Sequence, residues 1–197
     1  MILYVIMKRL FIVILACLAV ISCNSNKRIV SDTPVKSEVL GIELCTKMSM
    51  SEIENALIEH TEKFFFTTSE RVNNHRVYRS MPLGLNFLYG NMGWTYCDVI
   101  VTDDDEVVTI KLVSSYENLD DAEKQYKIAV ELFTNKYGKA NVSDDNKLSF
   151  WTDDINTVGV QYDNSSAING NDRSFCELYY VNIALSDKAE KEIELDI

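Results

Sequence analysis

The sequence predicts an α+β fold in which two helix-then-antiparallel-strand repeats share one sheet, with both helices on one face. Two helical patterns, near residues 51–63 and 120–137, each precede several short runs that alternate apolar and polar residues. The predicted helix starts, Ser49 and Asp120, are 120 − 49 = 71 residues apart. A helix with one apolar stripe and a sheet with one apolar face must cover each other, which favours a single shared sheet.

Residues 7–23, MKRLFIVILACLAVISC, place Lys8 and Arg9 before an uncharged apolar run that ends at Cys23. This is the layout of an export signal, and the run is shorter than the roughly 20 residues of a spanning helix. The stretch Val20-Ile21-Ser22-Cys23 resembles the lipobox of bacterial lipoproteins. The resemblance implies a signal peptide over residues 1–22, cleavage before Cys23 and acylation of that cysteine.

Three alternatives stay open for this segment: a plain signal peptide followed by a free thiol, a retained transmembrane anchor that includes the apolar residues 1–7, and translation that starts at Met7 rather than Met1. By the lipobox resemblance we expect a lipoprotein of the bacterial cell envelope. It would be anchored in the membrane through Cys23. Basic Lys27 and Arg28 follow that cysteine in place of an acidic cluster, which favours a protein that faces the periplasm.

The mature chain would have 197 − 22 = 175 residues, which suits one domain or two small units that share a core. Its net charge would be −11 − 2 = −13, because Lys8 and Arg9 are lost. An acidic surface of this size argues against nucleic acid as a partner and against electrostatic docking on anionic lipid. Residues 24–38 are polar with a single proline, so residues 23–38 are interpreted as the lipidated cysteine and a flexible tether.

The first repeat covers about residues 39–115. Ser49 and Glu52 have the spacing of a capping box. In a capping box, the side chain of each residue accepts a hydrogen bond from the backbone N–H of the other residue. The strand-like runs that follow are 64–68, 76–81, 85–89, 94–102 and 106–114. Asp103, Asp104 and Asp105 join the last two runs. Calcium loops space their ligands, so these carboxylates are interpreted as an acidic hairpin turn.

The second repeat covers about residues 116–186 and ends before a charged tail over 187–197. Asn118 or Asp120 can cap its helix, and Gly138 marks the helix end. The strand-like runs that follow are 147–152, 157–162 and 175–185. The polar loop at 163–174 contains Asn169 and Asn171. Long loops often carry function, which makes these two asparagines candidate binding residues, with a mobile hairpin tip as the plainer interpretation.

Cys45, Cys97 and Cys176 would remain in the mature chain. Export permits a disulfide, and the pair Cys97–Cys176 is favoured because both lie in strand-like runs. Three buried free thiols are the alternative. No metal site and no cofactor are expected, because the cysteines are far apart in sequence and only two histidines, His60 and His75, accompany them.

No catalytic motif for a serine, metal-dependent or thiol enzyme occurs in the chain. Trp94 and Trp151 are candidates for an exposed binding surface that stacks on a sugar or a protein partner. Equally, they can fill the space between helix and sheet.

The element order resembles the tandem-repeat fold of the β-lactamase inhibitor protein and of related small envelope lipoproteins, over about residues 39–185. The resemblance implies a protein without enzymatic activity that binds through an exposed sheet face. We therefore expect a lipid-anchored, non-catalytic binding or assembly module with a protein partner. The alternatives are a proteinaceous enzyme inhibitor and an envelope hydrolase that uses carboxylates.

Overall fold

The computed structural model describes residues 29–60, 64–72, 75–83, 86–143, 145–165 and 173–185, with the side chains of 64–72, 164 and 165 excepted. Three parts of the sequence predictions lie outside this range. They are Cys23 with the signal segment, the loop residues Asn169 and Asn171, and the tail at 187–197. Within the described residues, no helix is long and apolar enough to cross a bilayer.

The structure is an α+β fold dominated by one large antiparallel sheet. Its helices are α1 (Met50–Ile58) and α2 (Leu119–Tyr137), and residues 183–185 are also helical. Its strands are β1 (Glu38–Val39), β2 (Ile42–Glu43), β3 (Phe64–Val72), β4 (His75–Pro82), β5 (Phe87–Tyr89), β6 (Met92–Trp94), β7 (Tyr96–Val101), β8 (Val107–Tyr116), β9 (Asn141–Val142), β10 (Leu148–Thr152), β11 (Asn156–Ser165) and β12 (Arg173–Asn182).

Eight strands form the main sheet in the order β3-β4-β7-β8-β12-β11-β10-β9, and every neighbouring pair is antiparallel. The pairs β1-β2 and β5-β6 form two small separate sheets. At the centre, β8 and β12 place Leu112 opposite Leu178 and Ile110 opposite Tyr180. The strands before α2 and the strands after it therefore meet at one central pair.

Helix α1 begins as its sequence predicts. Ser49 accepts a hydrogen bond from the backbone N–H of Glu52, and the Glu52 carboxylate accepts one from the backbone N–H of Ser49 at 2.7 Å. Ile53 and Leu57 are fully buried. The helix ends at Ile58, five residues earlier than the predicted end at 63.

Helix α2 is capped by Asn118, whose side-chain oxygen accepts a hydrogen bond from the backbone N–H of Asp121 at 3.0 Å. Gly138 ends the helix with φ +84°, a conformation that residues with a side chain rarely adopt. The predicted apolar stripe packs against β8, β10, β11 and β12, with the buried residues Ala122, Tyr126, Ala129, Phe133 and Tyr137.

The two faces of the main sheet differ. The helix face carries Cys97, Val99 and Val101 of β7, which share one apolar cluster with the buried residues of α1 and α2. Alternation along a strand then places Tyr96, Asp98 and Ile100 on the opposite face, which we call the second face.

Residues 29–37, which we call the strap, are held against the domain although the sequence predicts a flexible tether there. The Ser31 N–H donates to the carbonyl of Thr152 at 2.8 Å, and the Asp32 N–H donates to that of Tyr137 at 3.0 Å. Val35 is buried. Backbone N–H groups of the strap thus bond carbonyl oxygens at the end of α2 and at the end of β10. Backbone groups of a polar segment can form such bonds without any apolar pattern.

Candidate binding site on the second face of the sheet

Four charged side chains and a glutamine form a network across five adjacent strands of the second face. The strands are β4, β7, β8, β12 and β11, and the residues, in that order, are Arg79, Asp98, Lys111, Glu177 and Gln161. Arg79 lies opposite Asp98, Asp98 opposite Lys111, and Glu177 opposite Gln161. The network crosses the central pair β8-β12 and so connects both parts of the sheet.

The Arg79–Asp98 pair is bidentate. The Nε and Nη2 atoms of Arg79 donate to the two carboxylate oxygens of Asp98, each at 2.6 Å. Asp98 is fully buried, whereas 31% of the Arg79 side chain is exposed. The hydrogen bonds to Asp98 hold the pKa of Arg79 above its ordinary value. Two charge-assisted hydrogen bonds to a buried carboxylate fix the orientation of the Arg79 guanidinium group, which lies on the solvent side of Asp98.

The Lys111–Glu177 pair is diagonal across β8 and β12, with Nζ 2.6 Å from Oε1. Gln161 donates from Nε2 to the other Glu177 oxygen at 2.5 Å. Burial by itself lowers the pKa of Lys111, but the charge of Glu177 and the neighbouring Tyr96 and Asp98 outweigh burial, so the pKa is raised. Lys111 therefore stays cationic in its buried position.

Tyr96 packs against the Arg79–Asp98 pair. The Arg79 guanidinium lies over its ring, 4.7 Å from the centroid, which is a cation–π geometry. Burial, partly offset by the charge of Lys111, raises the pKa of Tyr96 to about 12. The ring therefore stays neutral in the folded protein at physiological pH.

Part of this face is accessible to a partner. We call its partly exposed residues the strip: Arg79, Met81, Tyr96, Gln161, Phe175 and Glu177. Arg173 and Asp163 lie exposed at the same end of the sheet. The rows beyond the strip, with Val77, Ile100 and Thr109, are buried. The strip thus combines aromatic, thioether and charged side chains on rigid strands.

The network does not offer catalytic groups. Both cations and both anions are used in ion pairs, so their formal charges cancel and neither carboxylate is left as a free acid or base. Burial raises the pKa of the Cys97 and Cys176 thiols, which disfavours the reactive thiolate. Within the described part of the chain, no three His, Cys, Asp or Glu residues are grouped so as to hold a metal ion.

Trp94 and Trp151, which the sequence offers as an exposed binding surface, are both buried. The Trp94 indole N–H donates to the carbonyl of Tyr89 at 3.1 Å, and that of Trp151 donates to the carbonyl of Gly138 at 2.9 Å. Both indoles belong to the core on the helix face. The two indoles therefore fill the space between the helices and the sheet, which is the alternative that the sequence also allows.

Cys97 and Cys176 are free thiols in the structure, so the favoured disulfide is not formed. Cys97 lies on β7 and Cys176 on β12, with β8 between them. Two strand spacings amount to about 9.5 Å, whereas the Cα atoms of a disulfide lie roughly 4.4–6.8 Å apart. The alternative of buried thiols applies to these two residues, while Cys45 is exposed.

The network was not singled out from the sequence, although a signal for it exists. Asp98 and Lys111 are charges inside the apolar runs that the sequence pairs as a hairpin, and the register shift between Ile100 and Val101 brings them opposite each other. Cross-strand opposite charges stabilise each other. Glu177 could not be joined to them from sequence, because the contact depends on the long-range pairing of β8 with β12.

Comparison of the chain with protein-family models, with curated proteins and with solved structures finds no match.

Proposed function

We propose that this chain is a lipid-anchored, non-catalytic protein-binding module of the bacterial cell envelope, and that it binds its partner through the strip on the second face. The observation that carries the proposal is the ion-pair network under the strip. Buried Asp98 and Lys111 hold Arg79 and Glu177 in fixed positions at the surface.

The composition of the strip supports a protein partner. Arg, Tyr, Met and Phe are the residues enriched in protein interfaces, and Arg and Tyr are frequent hot spots. Arg79 is fixed by Asp98 and stacked on Tyr96, so little side-chain freedom is lost on binding. The ion pairs use the carboxylates of Asp98 and Glu177, which disfavours the alternative of a carboxylate hydrolase.

The anchor is proposed from the export signal and the lipobox-like stretch that ends at Cys23. Acylation at one end would give nearly permanent membrane attachment, since each buried methylene adds about 0.8 kcal/mol. An enzyme inhibitor is one form that a protein-binding module can take.

The two-repeat organisation is likewise proposed, and the strand order supports it. From one edge to the centre the order is β3-β4-β7-β8, and from the other edge to the centre it is β9-β10-β11-β12. Each set follows one helix in the chain, and the last strands of the two sets pair. A shared sheet of this kind would place residues from both repeats in one strip.

Site-specific photo-crosslinking in intact envelopes tests the proposed strip. A photoreactive residue at Met81, in the strip, should form a discrete adduct with a protein partner. The matched control is Leu88, an exposed apolar residue on the β5-β6 hairpin, where no such adduct is expected.

The double variant Met81→Glu with Arg173→Glu changes the surface without touching the buried ion pairs. We expect it to weaken the partner's affinity on the order of tenfold or more. An adduct that forms equally at Met81 and Leu88, or an affinity for the partner that the double variant leaves unchanged, would contradict binding through the strip.

A further inference from the structure

We propose that the domain rests against the membrane by one particular end, formed by the strap, β9 and the end of α2, with Val30 and Val142 toward the lipid. The inference rests on the proposed acylation of Cys23. It assigns a lipid-facing surface to a protein whose net charge and predicted long tether argue for a domain held away from the membrane.

The strap fixes where the anchoring chain leaves the domain. The Ile29 N–H donates to Oδ1 of Asn141 at 3.0 Å, and Asn141 Nδ2 donates to the carbonyl of Ile29 at 2.8 Å. Next along the strap, Thr33 donates to the carbonyl of Lys136 at 2.9 Å. These bonds attach the chain to β9, an outer strand of the main sheet, and to the last turn of α2.

The remaining link to the lipid is short. From Cys23 to Ile29 there are 29 − 23 = 6 residue steps, which span at most about 21 Å when fully extended. A tether that ended at residue 38 would instead reach roughly 50 Å, more than the diameter of the domain. The strap therefore removes most of the freedom that the sequence predicts for the domain.

The short link excludes one orientation directly. The main sheet has eight strands, so its two outer strands, β9 and β3, are seven spacings or about 34 Å apart. If β3 faced the membrane, Ile29 would lie about 34 Å above it, beyond the reach of the six-residue link. The link therefore holds the β9 end within about 21 Å of the membrane.

The surface at this end suits contact with lipid. Val30 is 50% exposed and Val142 is 49% exposed, and they flank the bonded residues Ile29 and Asn141. Lys136 and Lys139 are exposed at the end of α2, and the Lys136 ammonium lies 4.5 Å from the centroid of the Tyr137 ring. Lysine side chains can lay their apolar stems on an interface while the ammonium groups reach the lipid phosphates.

Depth-dependent fluorescence quenching tests the orientation on the mature lipidated protein in vesicles of phosphatidylethanolamine and phosphatidylglycerol. An environment-sensitive nitrobenzoxadiazole label is attached at Val142→Cys or, at the opposite end, at Leu83→Cys. Both variants also carry Cys45→Ser, because Cys45 is the exposed native thiol, whereas Cys97 and Cys176 are buried. Nitroxide-labelled lipids quench a label that lies at the bilayer interface.

We expect the quenching of a label at residue 142 to be at least about twofold that of a label at residue 83. The emission of the label at residue 142 should also be shifted to the blue. With the label at Lys139→Cys instead, the added changes Val30→Asp and Val142→Asp should reduce the quenching at residue 139. The matched added change Leu88→Asp should leave the quenching at residue 139 as it is. Equal quenching at residues 142 and 83, or greater quenching at 83, would overturn the proposed orientation.

The anchor and the orientation fail in different ways. A protein that does not float with the vesicles and shows no acyl mass on Cys23 would refute the anchor and the orientation together. A protein that floats with the vesicles but has unquenched labels would refute the orientation alone.

Discussion

Asp98→Asn is the most informative single change in the network. The substitution keeps the size of the side chain and removes its charge, so the Arg79 guanidinium loses its anionic partner. One of the two hydrogen bonds must also be lost, because an amide offers one acceptor oxygen where the carboxylate offers two. Asp98 is fully buried, so solvent cannot replace the missing interactions at that site.

The expected loss follows from the geometry. Removal of one partner from a buried ion pair costs about 3–5 kcal/mol. The Arg79 side chain is 31% exposed and can recover part of its hydration, which places the expected loss near the lower end, at about 3 kcal/mol. This corresponds to a decrease of roughly a hundredfold in the folding equilibrium constant.

Urea denaturation followed by tryptophan fluorescence measures this loss, because Trp94 and Trp151 are buried and become exposed on unfolding. The control is Asp163→Asn, also on the second face, where the side chain is 72% exposed and lies 3.5 Å from Lys147. It should cost no more than about 0.5 kcal/mol.

Replacement of the whole pair, by Arg79→Met with Asp98→Leu, should restore most of the stability, since no unpaired charge remains. A loss below about 1 kcal/mol for Asp98→Asn, or a loss equal to that of Asp163→Asn, would refute the assignment of a structural role to this pair.

Three further experiments test other parts of the structure. Gly159→Ala should destabilise the protein by about 1–3 kcal/mol in the same urea assay, because the new Cβ would overlap the Tyr179 ring, and Tyr179→Leu should relieve part of that loss. Cys97 and Cys176 should remain thiols under mild oxidation, so alkylation after unfolding should modify both; a disulfide-linked peptide pair that contains Cys97 and Cys176 would contradict the observed strand order. The pKa of Tyr96 is raised in the folded state, so its contribution to stability is present below pH 10 and is lost as the pH rises from about 10 to about 12. Tyr96→Phe should lose less stability over this range, and equal losses in both proteins would contradict the burial of that hydroxyl group.

Local sequence patterns were sufficient to predict the elements that depend on interactions between residues close in sequence. The Ser49–Glu52 capping box, the apolar stripe of α2 and its end at Gly138 are all present where the sequence predicts them. The acidic turn at 103–105 is also confirmed. Asp105 adopts φ +64°, and Arg76 bonds its carboxylate at 2.6 Å.

Long-range contacts could not be predicted in the same way. The sequence favours a Cys97–Cys176 bond because both strands are recognisable, but their separation by β8 depends on the order of strands in the sheet. The predicted strand at 94–102 is divided, because Trp94 belongs to the β5-β6 hairpin and only residues 96–101 enter the main sheet. The strap has no apolar pattern, so its attachment to β9 and α2 left no signal in the sequence.

The central position of β12 has a consequence for the kinetics of folding. It is the last strand of the described chain, yet it lies between β8 and β11 in the middle of the main sheet. β8 and β11 can therefore be joined only after residues 173–182 have been synthesised. Pairing of Ser174 with Tyr116 closes a loop of 174 − 116 = 58 residues, and contacts this distant in sequence slow folding. A nascent chain that ends before residue 173 would hold two incomplete half-sheets, each with an unpaired inner strand that invites aggregation.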